Sequence, residues 1–116
     1  MAIFRSSVFL AFALVAVSLA TADGQQGIEH VSPPRDSVGA QPKRFEWTAV
    51  PNADGYALLL VNEIDIEMWE VTVKANSIEV PKDLVLDAGT YYWAVGAFSG
   101  GRQVAYSGRS AFVVLK

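Results

Sequence analysis

Glu63, Asp65 and Glu67 alternate along the chain, so an extended strand would hold all three carboxylates on one side. Calcium is the cation such a row would suit. It needs roughly six to eight oxygens gathered by a curved loop, and the Asp/Asn-Gly spacing of such a loop is missing. The row therefore predicts a solvated, charged strand edge that resists pairing with other chains. His30 is the sole histidine and cysteine is absent, which leaves zinc without a ligand set and predicts a surface place for His30. No glycine-rich segment joins a strand to a helix, so no phosphate cradle is expected. Asn52, Asn62 and Asn76 lack the Ser or Thr two residues on that glycosylation requires. With no nucleophile beside a base and no carboxylates framed for acid-base work, the expectation is a chain without catalysis, cofactor or metal.

The pattern that does stand out is apolar. In the run from Phe45 to Val61, polar and apolar residues alternate up to a Pro51-Asn52-Ala53-Asp54-Gly55 turn, after which Tyr56, Leu58 and Leu60 recur at period two. From Leu86 to Phe98, a turn at Asp87 to Gly89 leads into Tyr91, Trp93, Val95 and Ala97 at the same period. If these residues face a core, Ala57, Leu59, Val61, Tyr92, Ala94, Gly96 and Phe98 face outward. A solvated sheet face would carry Lys, Glu, Thr or Arg at such positions. The expected patch of roughly several hundred Å² is large enough to mark an interaction site. Ala57, Leu59, Val61, Tyr92, Ala94 and Phe98 are thus predicted to contact another protein or a second copy of the chain. Two covers from within the chain compete with a partner: the N-terminal segment with Ile28 and Val31, or the stretch with Ile64, Ile66 and Met68. A carbohydrate-binding module of the cell envelope is the alternative function, with Trp69, Tyr92, Phe98 and Tyr106 able to stack on sugar rings, whereas Trp47, Trp93 and Tyr56 read as core.

The elements that would position these residues are all strands. An edge strand near Ile28 to Ser32 is closed by Pro33-Pro34, which cannot donate to a ladder. Further strands are predicted at Arg44 to Val50, Gly55 to Asn62, about Met68 to Lys74, Ser77 to Val80, Thr90 to Ser99 and Arg102 to Leu115, the last broken near Ser107-Gly108. About seven short strands separated by turn signals, with no helical period, predict an all-β sandwich. Gly100-Gly101 reads as a two-residue hairpin loop, because paired glycines accept the positive φ of primed turns. Tyr56 to Met68 keep even parity while Trp69, Val71 and Val73 are odd, so a turn or bulge must fall between Asn62 and Trp69.

Ahead of the domain, Met1 to Ala22 carries one early cation, Arg5, an apolar stretch from Val8 to Ala20 and a small-residue Ala20-Thr21-Ala22 ending. That is the plan of a secretory signal peptide, and its apolar core is shorter than the roughly 20 residues of a membrane span. The expected organisation is a leader over 1–22, a flexible tail over 23–27 and one domain over 28–116, in a secreted or periplasmic protein not inserted in the membrane after cleavage. An exported chain without cysteine must rely on apolar packing rather than disulfides. Loss of Arg5 moves the formal charge from −3 to about −4. Mild acidity without basic clusters argues against nucleic acid and anionic membranes as partners.

Phe45, Trp47, Val50, Pro51, Gly55, Tyr56, Leu58 and Leu60, followed by Leu86, Gly89, Thr90, Tyr91, Tyr92, Trp93, Val95 and Ala97 and by Tyr106, Ser107, Ser110, Phe112 and Val114, form a pattern. From about Ile28 onward, the chain resembles a bacterial fibronectin type III-like domain. The resemblance implies an immunoglobulin-like sandwich of three strands facing four, used as a spacer or as a surface for protein or glycan. It also implies that Tyr91, with Tyr92 as the competing choice, bonds a nearby backbone group as a tyrosine corner. Ala88 stands where a proline is common in the family, and the domain occurs singly, which weighs against a spacer. Function is therefore expected to be non-catalytic binding.

Overall fold

The computed structural model describes residues 27–116. The expected signal peptide, and all of the expected tail except Gly27, lie outside the described residues. Among the described residues, nine strands form two sheets: β1 (His30–Ser32), β2 (Ser37–Gly39), β3 (Arg44–Trp47), β4 (Gly55–Asn62), β5 (Glu67–Val73), β6 (Ser77–Glu79), β7 (Gly89–Ser99), β8 (Arg102–Tyr106) and β9 (Ser110–Val114). One sheet has the order β1-β3-β6. The other has the order β2-β9-β7-β4-β5, with β8 also paired to β7. The all-β sandwich is as the alternation predicts.

Two features bring the strand number to nine. The last predicted strand is broken where expected, near Ser107-Gly108, because Gly108 takes a positive φ of 73° and the chain leaves the ladder between Tyr106 and Ser110. The one strand not foreseen is β2, three residues parallel to β9 that pair Val38 with Val113. After the prolines the chain thus crosses from the smaller sheet to the edge of the larger one. The predicted phase slip is also present. Leu60 pairs with Trp69 but Val61 with Glu67, so Met68 is a bulge. The turn before it is organised by Asn62, whose Oδ1 accepts the amides of Ile64 at 3.0 Å and Ile66 at 2.9 Å. At the other tip, Ser99 pairs with Arg102 across Gly100 and Gly101, both at positive φ.

The core between the sheets holds the predicted inward set. Tyr56, Leu58 and Leu60 of β4 lie opposite Ala97, Val95 and Trp93 of β7, and all six are buried. Phe45 and Trp47 of β3 pack on them from the facing sheet, with ring centroids 4.8 Å apart for Phe45–Trp93 and 5.5 Å for Trp47–Tyr56. Edge-to-face aromatic pairs of this kind add to their area burial and do here what disulfides do in many small exported domains. β3 stops at Trp47, short of Val50, whose amide donates to the Tyr56 hydroxyl at 2.9 Å. The Tyr91 hydroxyl donates to the Asp87 carbonyl at 2.7 Å, so Tyr91, not Tyr92, makes the corner bond.

Candidate functional site

On the outer side of the larger sheet the ladder sets Ala57 beside Gly96, Leu59 beside Ala94 and Val61 beside Tyr92. Leu59, Val61 and Ala94 form a second apolar cluster, separate from the core, at 6%, 2% and 4% exposure. Tyr92 and Tyr106 pack against it, half-buried. Both tyrosines belong to the same sheet face, so among the described residues the apolar neighbours of the cluster come from its own sheet. Tyr106 lies across the ladder from Gly96, which offers no side chain to hold it upright. On the opposite flank, Thr72 and Glu70 of β5 stand next to Ala57 and Leu59.

Of the predicted surface residues, Ala57, Leu59, Val61 and Ala94 make a buried bed, while Tyr92 reaches solvent. Phe98 stands apart. It is half-buried at the far end of the strands, opposite Gly55, in a niche of about 380 Å³ shared with Thr72 and Val73. Trp69 is on the inner side, 6.0 Å from Phe45, and cannot join the outer aromatics. Among the described residues neither foreseen cover is in place: Ile28 is buried in the core, Val31 is exposed, and Ile64 and Ile66 are exposed.

Arg109 is part of this face and carried no signal in the sequence. Its guanidinium lies 6.0 Å from the Tyr92 ring centre and bonds Asp65 at 2.7 Å, closing the lower end of the patch. Only the break between β8 and β9 aims it there. Burial raises the Tyr106 hydroxyl above its ordinary pKa, with Arg109 opposing, so it is a neutral donor and acceptor at physiological pH. Asp65 is taken up by Arg109, and among the described residues no group of three or more His, Asp or Glu is placed to hold a metal ion.

The same break involves His30, which is half-buried rather than at the surface. Its ring meets Trp93 edge-on at 4.5 Å, and its Nε2 lies 3.3 Å from the Trp93 carbonyl oxygen. Ser107 completes the repair: its Oγ accepts the Val95 amide at 2.8 Å, and its own amide donates to the Val95 carbonyl at 2.9 Å. Two side chains and one amide thus bond β7 where the regular ladder opens. Burial first, and then the nearby Arg35, lower the His30 pKa below 6.5. No protein family, curated protein or solved structure matches the chain.

Proposed function

We propose that the chain is an exported, non-catalytic binding domain of the fibronectin type III-like kind, docking another protein through the outer face of its larger sheet. The observation that carries this is the cluster of Leu59, Val61 and Ala94 on the solvent side of the sheet, with no other layer of the described residues packed on it and two half-buried tyrosines at its border. Tyrosines beside an apolar bed fit the composition of a protein contact, where aromatic residues are enriched. The family reading draws support from a three-stranded sheet facing a larger one and from the Tyr91 corner bond, while the larger sheet has six strands where the resemblance implied four. Export rests on the Met1 to Ala22 pattern. Arg109 against Tyr92 counts against glycan stacking, because a sugar would compete with the guanidinium for the ring.

The test is Tyr92→Ala and Tyr106→Ala in the purified protein, with association read by capture of other envelope proteins. Association should weaken in both while melting is little changed. Binding kept intact in both variants would remove the outer face from consideration, and polysaccharide binding lost with either tyrosine would favour the carbohydrate-binding alternative.

A further inference from the structure

The two edges of the larger sheet carry features that fit each other. At the β2 edge, a groove of about 390 Å³ runs between the β1–β2 crossover and the start of β3. Its apolar lining includes Pro33, Pro34, Val38 and Pro42, with Val38 61% exposed. Lys43 and Arg44 stand along it, and no acidic residue lines it. Arg44 faces Glu79 across the β3–β6 ladder, yet neither cation has an ion-pair partner among the described residues. Two unpaired cations beside an apolar floor, in a chain of net negative charge, call for an occupant that is apolar and acidic together.

The chain presents such an occupant at its opposite edge. The β4–β5 turn carries Ile64 at 70% exposure and Ile66 at 52%, interleaved with Glu63, Asp65 and Glu67. It is a firm knob rather than a loose loop, because Asn62 Oδ1 holds two of its amides and Arg109 holds Asp65. β2 and β5 are the outermost strands of the order β2-β9-β7-β4-β5, so knob and groove point away from each other and cannot meet within one copy.

We infer that the Glu63–Glu67 turn of one copy seats in the Pro33–Arg44 groove of the next. Ile64 enters the apolar floor, and Glu63 meets Lys43 and Arg44. Because different surfaces meet on the two sides, the contact is head-to-tail and propagates across the strands into an open row or a ring. One knob in one groove buries less than the roughly 1,200 Å² of a stable complex, so the association is weak and concentration-dependent. This assembly uses neither Leu59 nor Tyr92 and stands independently of the outer-face reading.

Sedimentation velocity of the purified protein over a wide concentration range tests it. The average mass should climb past that of a dimer, without levelling for an open row or to a fixed larger mass for a ring. Ile64→Asp, and separately Lys43→Glu with Arg44→Glu, should each weaken association by about tenfold or more while circular dichroism and melting stay unchanged, since all three sites are at the surface. An equimolar mixture of the two variants should stop at a dimer, because one intact groove then meets one intact turn. A mass independent of concentration would overturn the inference. So would association that survives both variants, a mixture that stays monomeric, or association abolished by Tyr92→Ala yet untouched by Ile64→Asp.

Discussion

β4 and β7 present two apolar faces built from the same strands, and the faces differ in what lies beyond them. Inward, Leu58 and Val95 meet a second sheet carrying Phe45 and Trp47. Outward, among the described residues, Leu59 and Ala94 pack with Val61, Tyr92 and Tyr106 of their own sheet. Both sets are almost fully buried, yet burial has different meanings on the two sides. Inner residues are held by contacts across two layers, which collapse together or not at all. Outer residues are sheltered, among the described residues, by half-buried rings of a single sheet, and the proposed docking face rests on that arrangement.

The comparison breaks first at Trp47. It is fully buried between the sheets, and Trp47→Ala should cost about 3–5 kcal/mol in urea or thermal unfolding, a large share of a small domain's stability. A cost below about 1 kcal/mol would mean the aromatic cluster is not the core. A sharper contrast comes from adjacent positions. Leu58→Ala should cost about 2–5 kcal/mol, whereas Leu59→Ala should cost only about 1–2 kcal/mol, because water and the tyrosines can fill the space it leaves. Equal losses would show that the outer cluster is a true second core and would weaken the case for a docking face.

The smallest effect concerns His30, where the two sheets meet at the break in the last strand. Its folded pKa is lowered, so below pH 6.5 the unfolded chain takes up more protons than the folded one. Its contribution is therefore complete above pH 6.5 and declines as pH falls from there through the lowered folded pKa. Melting temperature should drop modestly from pH 7.5 to 5.5, and His30→Gln should flatten that drop. An unchanged pH profile in the variant would show that the ring's burial has no energetic weight.

Much of this architecture was legible in the residues, and the exceptions have physical causes. β4 runs from Gly55 to Asn62 as expected, because period-two alternation is bounded by residues that favour turns. The split of the last strand was announced by Gly108. β2 was not legible: Ser37–Gly39 contains a single apolar residue, and it faces solvent, so the strand exists only because β9 offers an edge. Parity identified the outer face of the sheet correctly. It could not say that Tyr106 would lean beside Gly96, or that Arg109 would cross to Tyr92, since both follow from neighbours in space rather than in sequence.

The parallel pairing of β2 with β9 gives the domain a directional resistance to force. A pull on the two ends of the chain draws β2 toward its N-terminal end and β9 toward its C-terminal end, so the strands are sheared along their shared axis. Their hydrogen bonds then carry the load together, where an antiparallel hairpin pulled from its open end would unzip one bond at a time. A domain tethered at one end to a surface and at the other to its partner would yield late under tension.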